Sequence, residues 1–135
     1  VGPQDPVEQV VLLPEDPDKS AREYRAWIKR EAGTDIGVII NDSVGRAWRI
    51  GTVGLAIGVA GVQALEDHRG KPDLFGVPLK VSEEAVADEL ASAASLLQGQ
   101  AGEGSPVVLI RGFKQASDEQ SAATLIRPRE QDLFR

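Results

Sequence analysis

Apolar positions along the chain follow two spacings, one suited to strands and one to helices. Val7 to Leu13 holds Val10, Val11, Leu12 and Leu13 in a short run that predicts a strand, stopped by Pro14. Glu15-Asp16-Pro17-Asp18 is a helix start. Asp16 can cap the free N–H groups, and Pro17 fits a first helical position, where an N–H would have no partner. The helix is predicted to run to about Ala32, with Ala21, Tyr24, Trp27, Ile28 and Ala32 forming one apolar stripe. Lys29 and Arg30 suit the negative end of its dipole, and Gly33 stops it. Ile36 to Ile40 is apolar almost throughout, which predicts a strand covered on both faces and ending at Asn41-Asp42-Ser43. Val44 to Arg49 then reads as a charged loop. Leu55 to Val59 reads as a further strand whose glycines imply close backbone approach or bulges.

Turn chemistry at Arg69-Gly70-Lys71-Pro72-Asp73 and Phe75-Gly76 predicts a hairpin or long loop over 67–77, followed by a short strand at Leu79 to Val81. Ser82 reads as the cap of a second helix, with Glu83 and Glu84 in its first turn. Val86, Leu90, Ala93, Ala94 and Leu97 would line its apolar face, and Gly99 would stop it. Pro106 to Ile110 is another strand-type run, and a short helix is expected around Glu119 to Leu125. The pattern predicts one domain of class α+β (mixed α/β), with helices packed on a mixed sheet.

Composition narrows the function. Fifteen Lys+Arg against 21 Asp+Glu give a formal charge of -6, which disfavours a general nucleic-acid binder. The absence of cysteine removes disulfides, thiolate metal sites and a cysteine nucleophile, and fits a reducing cytoplasm. No apolar run approaches the ~20 residues of a membrane span, so no membrane role is expected. Met is absent and the chain begins at Val1, which leads us to expect a piece of something longer.

Candidate chemistry centres on three segments. Asn41-Asp42-Ser43 follows an apolar strand, and a carboxylate beside a hydroxyl offers hard oxygens to Mg²⁺ or Mn²⁺. A turn is the commoner use of these residues. Arg46 and Arg49 could clamp phosphate or carboxylate oxygens, or lie in a solvated loop with Trp48 packed on the core. Gln98 to Ser105 is glycine-rich, but it lacks a P-loop ending and follows a helix C-terminus. From its physics alone it is a helix stop and turn. Asp88 and Glu89 read as a solvated helix face. His68 is the sole histidine, so no zinc site is expected, and local hydrogen bonding is its simplest use.

The order of these motifs resembles the coenzyme F420-0:L-glutamate ligase family, the γ-glutamyl ligases. Val38-Ile39-Ile40-Asn41-Asp42-Ser43-Val44-Gly45-Arg46-Ala47-Trp48-Arg49 and Ala56-Ile57-Gly58-Val59-Ala60-Gly61 carry the likeness. Asp67-His68-Arg69-Gly70, Asp73, Gly76, Val86-Ala87-Asp88-Glu89, Gly99-Gln100-Ala101 and Asp132-Leu133-Phe134-Arg135 continue it in order. The resemblance implies an enzyme that uses GTP and Mn²⁺ or Mg²⁺ to join L-glutamate to coenzyme F420-0 through an acyl phosphate.

It further implies metal binding by Asp42, Ser43 and Gln100. Nucleotide binding falls to Gln98, Gly99, Gln100, Ala101, Gly102, Glu103, Gly104 and Ser105. No catalytic base is implied. The whole chain, 1–135, would be the C-terminal portion of a larger two-lobed ligase domain, inactive alone and acting as a homodimer or with the missing N-terminal half. The alternative is a non-catalytic α/β binding or assembly module derived from such a ligase.

Overall fold

The computed structural model describes residues 11–113 and 119–132. Helix α1 spans Pro17–Ala32, β1 Val38–Arg46, β2 Arg49–Ala60, β3 Glu66–Asp67, β4 Glu83–Glu84 and α2 Val86–Gln98. Two 3₁₀ turns follow, Ala122–Leu125 and Arg129–Gln131. The class is α+β, as expected. Among the described residues both sheets are two-stranded and antiparallel.

Local signals set α1. The Lys19 N–H donates to Asp16 Oδ1 at 2.8 Å, and Gly33, at φ 67°, turns its N–H back to Lys29 O at 3.0 Å. Its predicted stripe holds only in part. Ala21 is fully buried, whereas Tyr24 and Trp27 are more than half exposed.

β1 does not stop at Asn41-Asp42-Ser43. It continues to Arg46, because Ala56, Leu55 and Gly54 of β2 pair with those three positions. The expected loop is therefore the end of a long hairpin whose turn is Ala47-Trp48, with Trp48 at φ 58° and 87% exposed rather than packed on the core. Register shifts at Ile40/Asn41 and Gly45/Arg46 bend the hairpin. The Ile36 to Ile40 run enters the strand only at Val38, and its strand residues are half-buried.

Helices close over β2 because the facing residues are small. A Cβ on Gly54 would lie 2.6 Å from Ala91 O, and one on Gly58 would strike the Pro17 carbonyl. The core joins Ala56, Val59, Val62, Ala64, Ala87, Ala91 and Ala122, with Ile39, Leu90 and Leu125 packed against it. The buried face of α2 is thus Val86, Ala87, Ala91 and Ser95. The predicted stripe is corrected: Ala93 and Leu97 are exposed, because the helix turns Ala91 and Ser95 toward Gly54.

Helix carboxylates and a hydroxyl finish the outer edge of β2. The Ala56 N–H donates to Asp88 Oδ1 at 2.9 Å, the Val59 N–H donates to Asp18 Oδ1 at 2.8 Å, and Ser92 Oγ donates to Gly54 O at 2.7 Å. Asp88 is therefore a structural acceptor and not part of a solvated face, while Glu89 is exposed.

The 67–77 segment does fold back, with Gly70 N–H donating to Leu79 O and Leu79 N–H to Lys71 O at 2.8 and 2.9 Å. No strand forms at Leu79 to Val81. Ser82 caps no helix; its carbonyl accepts from His68 N–H at 3.0 Å, and Glu83–Glu84 pair with Glu66–Asp67. Helix α2 starts later, at Val86 after Ala85, without a side-chain cap.

Val11 to Leu13 form no strand, and Val7 to Val10 lie outside the described residues. Pro106 to Ile110 likewise find no strand partner among the described residues, and Val107 is 84% exposed. The expected helix near 119–125 is the Ala122–Leu125 3₁₀ turn.

Candidate functional site

The hairpin and the end of α2 bring two of the sequence candidates, Ser43 and Gln100, together. Positions 43 and 45 of β1 lie opposite Gly54 and Thr52 of β2, so Ser43 and Thr52 are diagonal neighbours on one face. On that face Gly54 is covered by α2, while Gly45 has nothing within 4 Å of where a Cβ would stand. Gln100, just past α2, descends onto that face. Ser43 Oγ donates to Gln100 Oε1 at 2.7 Å, and Thr52 Oγ1 approaches the same oxygen at 3.4 Å. Asp42, one residue before Ser43, projects to the other face of β1; it is half-buried, and its Oδ1 accepts the N–H of Ser43 at 2.8 Å. A carboxylate, a hydroxyl and an amide oxygen are all hard oxygen donors, the chemistry that Mg²⁺ and Mn²⁺ prefer.

The glycine loop is shaped from within. Gly99 ends α2 at φ 76°, and its N–H donates to Ser95 O at 3.1 Å. Glu103 folds back so that its Oε2 accepts the Ala101 N–H at 2.8 Å. That bond, before any other cause, holds the Glu103 carboxyl below the usual glutamate range. Gln98 is turned toward β1. Asn41 Nδ2 donates to Gln98 Oε1 at 2.8 Å, and Gln98 Nε2 donates to Pro106 O at 3.1 Å.

Arg46 and Arg49 are paired positions at the hairpin tip. The Arg46 guanidinium lies 3.4 Å from the carbonyls of Ile50 and Gly51, turned onto its own hairpin. Both arginines are exposed.

A second donor group lies on the β3–β4 ribbon. Glu66, His68 and Glu84 each offer one atom, all within 4.8 Å of one another. Lys71 already serves it: Nζ is 2.6 Å from Glu66 Oε1 and 3.1 Å from His68 Nδ1. An ammonium only donates, so His68 Nδ1 accepts and Nε2 donates to Glu84 Oε2 at 3.0 Å. His68 thus bonds locally, as its sequence setting implied. A cleft of about 620 Å³ beside α1 is lined by Arg22, Arg25, Lys29, Asp35, Glu119 and Thr124, among others. Two of its cations are already paired, with Arg25 and Lys29 at 2.8 and 3.0 Å from Asp35.

Sequence reasoning missed Asn41 and Thr52. Thr52 was legible only through the hairpin register, which requires placing the turn at Ala47-Trp48. Asn41 was treated as turn chemistry, although its amide reaches across to Gln98.

Comparison with known proteins now bears on this geometry. The family model for F420-0:γ-glutamyl ligase matches residues 3–112, which include Asp42, Ser43, Gln100 and the glycine loop. The chain belongs to the F420-0:γ-glutamyl ligase family. A relative from Methanocaldococcus jannaschii, named coenzyme F420:L-glutamate ligase, is 51% identical over 126 residues, covering 93% of this chain and 51% of its own. Ligases of the same name from Methanopyrus kandleri and Archaeoglobus fulgidus are 48% and 45% identical, each over 93% of this chain and 52% and 50% of their own lengths. As a γ-glutamyl ligase family member, the chain spans about half the length of the curated relatives it matches. No helix among its described residues is long and apolar enough to cross a membrane.

Proposed function

We propose that this chain is the nucleotide- and metal-handling part of a GTP-dependent coenzyme F420-0:L-glutamate ligase acting in the cytoplasm. The observation that carries the reading is the 2.7 Å contact between Ser43 Oγ and Gln100 Oε1, which brings a hairpin hydroxyl beside Asp42 to a glycine-loop amide. The donor set suits a hard divalent cation, and its relatives are named for this ligation.

In this reading Asp42, Ser43 and Gln100 hold Mn²⁺ or Mg²⁺. The ion would neutralise charge between the γ-phosphate of GTP and a substrate carboxylate. The glycine loop, 98–105, presents backbone N–H groups to the phosphates. Arg46 and Arg49 supply mobile positive charge at the hairpin tip. The γ-phosphoryl group passes to the carboxylate of coenzyme F420-0, giving an acyl phosphate and GDP. The amine of L-glutamate then attacks that carbonyl, phosphate leaves, and an amide remains. None of the described side chains is required as the base for the amine.

The test is direct. The protein is incubated with Mn²⁺, GTP, L-glutamate and coenzyme F420-0, with GDP and glutamylated product followed by chromatography. GDP release with product is expected; neither appearing, with the remaining ligase half also supplied, overturns the reading.

The exposure of Val107, Leu109, Leu74 and Phe75 supports a second reading, a non-catalytic module that assembles with another chain. Assembly itself belongs to both readings, as a homodimer or with the other ligase half. Calorimetry separates them: Mn²⁺-dependent GTP binding by the 135-residue chain removes the non-catalytic one.

A further inference from the structure

Asn41 precedes Asp42 on β1 and stands outside the groups assigned above to ion or nucleotide. Its carboxamide meets that of Gln98 head to head. Asn41 Nδ2 donates to Gln98 Oε1 at 2.8 Å, and Gln98 Nε2 lies 3.3 Å from Asn41 Oδ1. The two residues are 57 positions apart, and both contacts are part-buried. Gln98 also donates to Pro106 O at 3.1 Å. Gln98 is the last residue of α2, and Pro106 is the first residue beyond the glycine loop. One amide pair therefore ties both feet of that loop to β1. Two residues along the strand, on the same face as Asn41, Ser43 meets Gln100 from inside the loop.

We infer that Asn41 is a positioning residue: through Gln98 it sets where the glycine loop stands on β1, and so holds Gln100 at Ser43. This rests on the ligase reading only in what the loop then binds. The chemistry suits asparagine. A primary amide offers a donor and an acceptor in one plane, which matches a second primary amide in both directions. Aspartate could only accept, serine is too short to span the gap, and leucine keeps the shape while offering neither. Both ends of the Gln98 side-chain amide are engaged within the fold, so that side chain serves the loop.

The test uses the 135-residue chain and two readouts. Amide hydrogen exchange in the loop reads the latch itself. Asn41→Leu and Gln98→Leu should each speed exchange at 100–104 about tenfold, with α1 unchanged. The double variant should be no worse than Gln98→Leu, which removes the amide pair and the bond to Pro106 together. Manganese uptake, read by electron paramagnetic resonance, should weaken about tenfold in Asn41→Leu and be abolished in Asp42→Ala. Unchanged loop exchange in both single variants, or fully additive effects in the double, overturns the latch. Faster exchange with unchanged Mn²⁺ affinity overturns its link to the ion site. Wild-type chain taking up no Mn²⁺ even with the remaining ligase half supplied sinks the ligase reading, while loop exchange still decides the latch. Should Asn41→Leu fail to fold, Gln98→Leu carries the same test from the helix end.

Discussion

Asp18 and Ala122 stand 104 positions apart, yet the N–H of Ala122 donates to Asp18 Oδ1 at 2.9 Å. The same oxygen accepts the Val59 N–H at 2.8 Å. A single carboxylate from the first turn of α1 thus fastens the end of β2 and the Ala122–Leu125 turn. Both amides are part-buried, so losing the acceptor leaves two N–H groups without a partner.

Asp18→Ala should therefore destabilise the fold by about 3 kcal/mol, and Asp18→Asn, which keeps an acceptor oxygen, by about 1 kcal/mol. Urea denaturation checks both. Equal losses in the two variants would show that the charge, rather than the acceptor, holds the three elements.

The β3–β4 ribbon pairs acid with acid: Glu66 faces Glu84 and Asp67 faces Glu83. Like charges directly opposite repel, so neighbouring cations must offset them. Arg69 reaches Asp67 at 2.6 Å and Glu83 at 3.3 Å, and Lys71 reaches Glu66. The Arg69 side chain first, and its backbone N–H second, hold Asp67 down at about 2 from an ordinary 3.8. Lys71 holds Glu66 below its usual range. A carboxyl depressed on folding contributes stability above its unfolded pKa and loses it as pH falls through the folded value. The Asp67 contribution should therefore be whole above pH 3.8 and vanish as pH falls toward 2. In Arg69→Met, the Asp67 midpoint, followed by carboxyl carbon NMR, should move up toward 3.8. A midpoint unmoved by that change would leave the backbone N–H as the cause.

The candidate ion site makes a graded prediction. Asp42→Ala should cut Mn²⁺-dependent GTP turnover by orders of magnitude in the assembled ligase. The thermal midpoint should hardly move, because the bond of Asp42 to Ser43 N–H is exposed. Ser43→Ala should weaken Mn²⁺ about tenfold, the worth of one interaction of about 1.4 kcal/mol, while Ser43→Thr keeps the hydroxyl and should retain binding. Equal Mn²⁺ affinity in all three proteins would remove this strand from the site.

What could be read from sequence follows how local each cause was. Asp16-Pro17 and Gly33 act within one turn of α1, and both ends of that helix were legible. Asn41-Asp42-Ser43 carries turn chemistry, but its cross-strand partners at 54–56 overrule it. The real turn uses Trp48 in a left-handed conformation, where bulky residues are seldom found. Ser82-Glu83-Glu84 looks like a helix start because nothing nearby reveals that Glu66 and Asp67 will pair with those glutamates. The face of α2 was misjudged because apolar spacing alone does not show which small residues must meet a glycine. Gly54 favours alanine and serine against it, so Ala91 and Ser95 turn inward. The metal and nucleotide candidates came from motif order, and only the fold puts Ser43 and Gln100 in contact.

Gly99 yields the sharpest test of the loop. Its φ of 76° is one that side chains rarely adopt, and a Cβ there would strike the Glu103 carboxylate. Gly99→Ala therefore meets strain and displaces the group that accepts the Ala101 N–H. It should cost about 1–2 kcal/mol in urea denaturation and weaken GTP binding as the loop opens. Glu103→Gln keeps an acceptor without the charge and should bind GTP nearly as well as wild type. The Ala101 N–H depresses the Glu103 carboxyl, so the loop should be fully closed above the ordinary glutamate range and loosen as pH falls below it. Hydrogen exchange at 100–104 measures this, and Glu103→Gln should flatten the pH dependence. If Gly99→Ala left both loop exchange and GTP affinity unchanged, neither the backbone geometry at this position nor the Glu103 contact would shape the site.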